Sequence, residues 1–261
     1  MGMINQIHNM DCVEGMKLLE DGVVDLTVTS PPYDDLRTYK GYSFDFENVA
    51  KELYRVTKKG GVVVWIVGDQ TINGSETATS FKQVLYFMSL GFNLHDTMIY
   101  EKNSMSMPDK VRYHQKFEYM FVLSKDKPKT FNPIIDHKNT AKRWAEKYHT
   151  LDKHGNKVER MRDIEHKTYG MRFNIWKYNT GFSGTTLDKI THPAPFPEKL
   201  AEDHIVSWSN TNDLVLDPFI GSGTTAKMAL INNRKYIGFE ISEDYTKEAR
   251  KRIATVQPKL F

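Results

Sequence analysis

Two short stretches carry residue types that could do chemistry. The first is Ser30-Pro31-Pro32-Tyr33, which stops the apolar run VVDLTV. The second is DPFIGSGTT, Asp217 to Thr225, which ends the apolar DLVLD and opens a helical stretch. Glycines between a strand and a helix let a ligand approach the backbone, and the first helical turn offers unsatisfied N–H groups. The spacing is neither that of a G-x-x-x-x-G-K-[ST] phosphate loop nor that of G-x-G-x-x-G, and no lysine stands where one would grip phosphates. Glu240 closes the next apolar run, KYIGFEI, about 20 residues further on, where a carboxylate can accept hydrogen bonds from ribose hydroxyls. Both facts fit a nucleoside-type ligand that lacks a pyrophosphate. Each stretch also has a plainer reading: close packing of helix on strand for the glycine turn, and a strand terminator with Tyr33 closing the core for the prolines.

The surrounding pattern shows what must position these residues. VVDLTV and GGVVVWIV are compact β-branched runs. Between them FENVAKELYRVTKK sets Phe46, Val49, Leu53 and Val56 at helical spacing until Gly60-Gly61. A second helix, roughly Thr79 to Leu90, is expected to turn Phe81, Val84, Leu85 and Met88 to one side. FNLHDTMIY and FEYMFVLS read as further strands, KYIGFEI as another, and DYTKEARKRIATV as a last helix. Strands alternating with helices predict an α/β fold with a mostly parallel sheet covered on both faces. From about 128 to 190 the pattern breaks into a polar, basic stretch dotted with aromatics, among them Trp144, Tyr148 and Trp176. Aromatics at that density argue for a small ordered insertion.

Composition narrows the class. The chain has 261 residues, 39% hydrophobic and 26% charged, which is ordinary for a folded globular protein. It contains no apolar stretch long enough to span a bilayer, and its first residues lack the layout of a signal peptide, so a cytoplasmic protein is expected. The single cysteine, Cys12, excludes an internal disulfide and a cysteine-based zinc cluster. The histidines show no ligand-like pairing, and no metal is expected. Net charge is only +3, but Lys125 to Arg172 holds 13 Lys or Arg against 7 Asp or Glu, a local basic excess.

The two motifs together resemble the signature pair of the S-adenosylmethionine-dependent amino-methyltransferases of DNA, which methylate the exocyclic nitrogen of cytosine or adenine. Their order, S-P-P-Y first and the glycine motif near the C-terminus, is similar to the β group, a circularly permuted, Rossmann-like class I methyltransferase fold. NMDC with Asp11 and Cys12, HQKFEYMFVLSK (114 to 125) and HPAPFPEKLAEDHI (192 to 205) resemble further motifs of that family. The resemblance implies a catalytic half (1–127), a target-recognition insertion (128–190) and a cofactor-binding half (191–261). It assigns catalysis to Ser30, Pro31, Pro32 and Tyr33. It assigns S-adenosyl-L-methionine to Asp11, Cys12, Pro193, Phe196, Asp217, Pro218, Phe219, Gly221, Ser222, Gly223, Thr224, Thr225 and Glu240.

The chemistry asks for what Ser-Pro-Pro-Tyr can supply. An exocyclic amine conjugated to its ring is a poor nucleophile, and acceptors for its two N–H groups favour the reactive geometry. The Ser30 hydroxyl and the Pro31 carbonyl are such acceptors, the two prolines hold them in place beforehand, and Tyr33 offers a face on which a flipped base can stack. Serine at the first position usually accompanies cytosine N4 in this family, which places N4-cytosine methylation of double-stranded DNA ahead of N6-adenine methylation. Cysteine-dependent ring-carbon methylation is rejected, because Cys12 follows an aspartate on the cofactor side.

In the basic insertion, Lys138, Lys142, Arg143, Lys147, Arg160, Arg162 and Arg172 are candidates for phosphate contacts, with Asn139 or Asn156 as candidates for reading base edges. Residues 101 to 114 are expected to form a mobile loop that closes over DNA. The resemblance also suggests a homodimer and a separately encoded restriction endonuclease. An RNA or protein methyltransferase, and a catalytically inactive DNA-binding subunit, are the rival readings.

Overall fold

The computed structural model describes residues 2–32, 44–103, 111–139, 147–161, 167–179 and 197–256. They form two compact units, Met1–Asn132 with Asn174–Phe261, and Pro133–Phe173.

The larger unit is built on an eight-stranded sheet. In chain order its strands are β1 (Gln6–Asn9), β2 (Val24–Thr29), β3 (Thr57–Val67), β6 (Asn93–Lys102), β7 (Phe117–Ser124), β12 (Ile175–Tyr178), β13 (Leu214–Asp217) and β14 (Lys235–Glu240). Their spatial order is β1-β14-β13-β2-β3-β7-β6-β12. Neighbours from β1 to β3 pair in parallel, β7 runs antiparallel to both β3 and β6, and β12 lies parallel to β6. A short hairpin of β4 (Thr71–Ile72) and β5 (Ser75–Glu76) stands apart. The two strands nearest the C-terminus are inserted between the two nearest the N-terminus, which is the expected circular permutation of a Rossmann-like sheet. The consequence is local. Permutation places the end of β13 beside the end of β2, and the end of β14 beside the end of β1.

Strands covered on both faces need apolar residues of both parities. Val63, Trp65, Val67, Leu216, Ile237 and Phe239 share one core with α1 (Cys12–Lys17), α2 (Phe46–Val56) and α3 (Thr79–Ser89). Val62, Val64, Ile66 and Val215 alternate with them, point to the other face by strand periodicity, and are equally buried. On the second run of helices, α4 (Glu198–Trp208) packs on α5 (Thr224–Ile231), and α5 on α6 (Glu243–Ala254). None of the described helices is long and apolar enough to cross a membrane.

Two helices differ instructively from their expected form. α2 ends at Val56 and not at Gly60-Gly61: the Thr57 hydroxyl donates to the Leu53 carbonyl, and β3 begins there. Gly60, at φ 82°, is a kink inside the strand, with its N–H donating to the Lys125 carbonyl. α3 has the expected length but another inward face. Ser80, Gln83, Val84 and Phe87 are buried, whereas Phe81, Leu85 and Met88 are exposed. Polar partners explain the turn: Asp69 accepts from both the N–H and the hydroxyl of Ser80, and Gln83 accepts from the buried Trp65 indole.

The smaller unit holds two antiparallel pairs, β8 (Ile135–Lys138) with β11 (Tyr169–Met171) and β9 (Lys147–Leu151) with β10 (Lys157–Met161). Its compact part is shorter than the expected 128–190 insertion. It runs from Pro133 to Phe173, and Asn174 onward returns to the main sheet through β12.

Candidate active site

The parallel strands β2, β13, β14 and β1 all end on one rim, where open α/β sheets place their ligands, and the order in which the chain winds across the sheet reverses between β13 and β2. A buried polar lock ties these two strands together. Asp217, only 1% exposed, accepts from the Thr29 hydroxyl at 2.6 Å, the Thr225 hydroxyl at 2.7 Å and the Phe219 N–H at 3.0 Å. Burial pushes its carboxyl up to about 6, against the opposing pull of those three donors. Thr225 also lies 3.2 Å from the Val28 carbonyl, and its one proton can serve only one of these acceptors. Ser30 stands one peptide bond beyond Thr29. The start of the S-P-P-Y motif is therefore fixed to the start of the glycine motif.

The glycine turn is shaped by its neighbours. Gly221 and Gly223 take φ values of 48° and 85°, the left-handed region where a side chain is strained. Glu240, at the end of β14, accepts from the Gly221 N–H through Oε2 at 3.1 Å and from the Ser242 N–H through Oε1 at 2.8 Å. Burial raises its carboxyl above the usual range while these N–H groups oppose the shift. Each carboxylate oxygen retains a second lone pair, so Glu240 can hold the turn and still accept from a ligand's hydroxyls. The Met10 N–H and the Asn9 side chain both donate to the Glu240 carbonyl, which brings Asp11 to the same rim. Asp11 is exposed and caps α1 through the N–H groups of Val13 and Glu14.

Of the expected cofactor residues, Asp11, Phe219 and Glu240 reach the surface of this rim, whereas Asp217, Pro218, Gly221, Ser222, Gly223, Thr224 and Thr225 are buried in the turn behind it. Cys12 is also buried, its thiol pushed up to about 12 chiefly by burial and then by Asp11, which disfavours the nucleophilic thiolate. Pro31 is buried, and Ser30 and Pro32 are half-buried. Tyr33, Pro193 and Phe196 lie outside the described residues, as do Lys142, Arg143, Arg162 and residues 104–110 of the expected mobile loop.

In the smaller unit Lys138 is exposed at the end of β8. Lys147 and Arg160 sit on β9 and β10, with side chains outside those described. Arg172 is not displayed as expected: its guanidinium engages Asp136 through both Nε and Nη2, and the Asp136 carboxyl falls below its usual range as a result. Among the described residues no cluster of histidine, cysteine and carboxylate side chains could hold a metal.

Sequence reading missed the residues behind the rim. Thr29 escaped because it reads as an ordinary β-branched strand residue. Glu198, Lys227 and Arg252 escaped because they are far apart in sequence. In the fold, Glu198 accepts from Lys227 at 2.7 Å and from Arg252, and all three are largely buried.

The donor set matches one kind of ligand. Among the described residues, the cations bonded around the turn, Lys227 and Arg252, are both engaged by Glu198, while Asp11 and Glu240 line the rim. A nucleoside carrying positive charge fits this balance, and a phosphorylated one does not.

The DNA methylase family, N6_N4_Mtase, matches residues 24–251. The chain belongs to this family. It is an S-adenosylmethionine-dependent DNA amino-methyltransferase. It is similar to the orphan methyltransferase M.BamHII of Bacillus amyloliquefaciens, at 62% identity over 89% of each chain. It is also 29% identical to the type II methyltransferase M.BglII of Bacillus subtilis, over 93% of this chain and 67% of that one. Among solved structures, the putative DNA modification methylase TTHA0409 of Thermus thermophilus, complexed with S-adenosyl-L-methionine, superposes with a TM-score of 0.62 at 26% identity, covering 95% of this chain and 94% of that one. The PvuII DNA methyltransferase shares the fold, with a TM-score of 0.69 at 21% identity over 98% and 87% of the two chains.

Proposed function

We propose that this methylase modifies the exocyclic N4 of a cytosine turned out of duplex DNA. The observation that carries the reading is the place of Ser30, a neutral hydroxyl one residue past the Thr29–Asp217 lock, at the reversal point of the sheet and beside the cofactor turn. Serine at this place usually accompanies cytosine N4 in the family. S-adenosylmethionine, when bound, supplies the electrophilic methyl group. The chain's own residues do the rest. The Ser30 hydroxyl and the Pro31 carbonyl accept from the amine's N–H groups and turn its lone pair toward the cofactor, and Tyr33 stacks on the extruded base. Because Ser30 is tied through Thr29 to the strand that starts the glycine motif, amine and cofactor are aligned by the same lock.

The Pro133–Phe173 unit supplies the DNA surface, with Lys138, Lys153 and Lys157 as phosphate contacts, and a two-stranded ribbon such as β9–β10 has the width to enter a major groove. The M.BamHII relative is named an orphan, which favours an enzyme that acts without a paired endonuclease.

The test is methyl transfer from labelled S-adenosylmethionine to unmethylated bacterial DNA, followed by nucleoside digestion and mass spectrometry. N4-methylcytosine, lost with Ser30→Ala and Tyr33→Ala, is expected. N6-methyladenine would keep the site and overturn the base.

A further inference from the structure

We propose that Arg252 is the positioning residue of the cofactor turn, and that Glu198 sets the guanidinium in place to do it. Arg252 lies in the last turn of α6 and is 7% exposed. Its Nη1 donates to the Ser222 carbonyl at 3.0 Å, the Thr224 hydroxyl at 3.1 Å and the Ser222 hydroxyl at 3.4 Å. Its Nη2 donates to Glu198 Oε1, the same oxygen that takes the Lys227 ammonium from α5. One terminal nitrogen, with two protons shared among these three oxygens, thus reaches both residues that flank Gly223, while the other is held by Glu198.

The turn has a second seat on the same helix. A Cβ built on Gly223 would come within 3.1 Å of the Ala249 Cβ, three residues before Arg252. Gly223 therefore lies flat on α6, and Arg252 clamps the residues on either side.

The placement of charge shows why the anchor is a carboxylate on α4. Glu198 is the first residue of that helix, where the dipole favours an anion, and a lone guanidinium buried under the turn would be costly. Glu198 also lies two residues after Phe196, so the carboxylate that holds Arg252 adjoins the other stretch implied in cofactor binding. Arg252 is almost wholly buried behind the turn. Its effect on the cofactor passes through the geometry of Ser222 to Thr224.

This inference rests on the reading that the Gly221–Gly223 turn holds the cofactor. The test uses the full chain and S-adenosylhomocysteine as the calorimetric probe, on wild type, Arg252→Met, Arg252→Lys, Glu240→Ala and Val56→Ala. The last opens a cavity in the α2 core and serves as a control for simple loss of stability. Amide exchange at Ser222 to Thr224 is followed in the ligand-free protein.

Arg252→Met is expected to weaken S-adenosylhomocysteine at least tenfold and to open those amides, and the methyl-transfer defect falls on KM for S-adenosylmethionine rather than on kcat. Arg252→Lys keeps the charge, loses the fork and gives a smaller change of the same kind. It carries the test if the methionine variant does not fold. Binding within twofold of wild type, or an equal loss in Val56→Ala, overturns the proposal. An unchanged affinity in Glu240→Ala overturns the cofactor-turn reading itself, whereas a loss there with none at Arg252 sinks only the positioning role.

Discussion

The cofactor rim and the Pro133–Phe173 unit are built on opposite principles. Under the rim, Asp217, Ser222, Thr224 and Thr225 are all 3% exposed or less, and their polar atoms meet Thr29, Val28, Phe219 and Arg252. In the smaller unit none of the described residues is buried. Its two hairpins are held by ladder hydrogen bonds, by the Arg172–Asp136 pair, and by contacts such as that of the His137 and Phe173 rings, 4.2 Å apart. Isolated two-stranded hairpins are marginal structures, yet they leave nearly every side chain free of packing duties. The side chains of the rim are fixed from below, whereas those of the smaller unit are left open to change.

The largest expected effect belongs to the most buried group of the rim. Asp217 has its carboxyl raised from 3.8 to about 6, so the folded state holds its proton more tightly than the unfolded chain. Its contribution to stability is fully present below pH 3.8 and is lost as pH rises through 6. The total is about 3 kcal/mol from the size of that shift. Unfolding free energies from urea titrations of wild type and Asp217→Asn, compared at pH 4 and pH 7, should therefore diverge by most of that amount, about 2 kcal/mol, in favour of wild type on acidification. A difference independent of pH would mean that the three donors keep Asp217 ionised throughout.

Gly223→Ala comes next. A side chain at φ 85° is strained, and the new Cβ presses on Ala249 at 3.1 Å, for a cost of about 1–3 kcal/mol. The thermal midpoint should fall and S-adenosylhomocysteine affinity with it. A stable variant that binds normally would show that the turn tolerates lifting from α6.

How far the sequence revealed the molecule follows the same division. The strands, the glycine turn and Glu240 were legible because each is a local pattern: β-branched runs, a strand-to-helix glycine cluster, and a carboxylate closing the following strand. α2 was legible because only apolar groups decide its inward face, with Val49, Leu53 and Val56 buried as expected. α3 was not. Its orientation is decided by Asp69 gripping Ser80 and Trp65 gripping Gln83, partners more than ten residues away that hydropathy does not register. Arg252, Glu198 and Lys227 were hidden for the same reason, since a buried ion cluster gathered from three helices has no spacing to read. The pairing of Arg172 with Asp136 was hidden likewise, because Asp136 lies 36 residues earlier in the chain.

The smallest effect should come from the open unit, and it tests the contrast most directly. The β9–β10 turn is organised by Asp152, whose Oδ1 accepts from the N–H groups of His154 and Asn156 at 2.8 and 3.0 Å. Gly155 completes it at φ 82°. Lys153, His154, Asn156 and Lys157 are thereby held exposed on a defined tip. If that tip meets the DNA backbone, Lys153→Ala and Lys157→Ala should each lower the slope of log affinity against log salt by about 1. Because no packing is lost, the thermal midpoint and S-adenosylhomocysteine affinity should stay at wild-type values. A slope that does not move places the tip away from the phosphates. A fall in cofactor affinity would instead mean that the two regions are energetically joined, and the division between a closed cofactor site and an open DNA surface would fail.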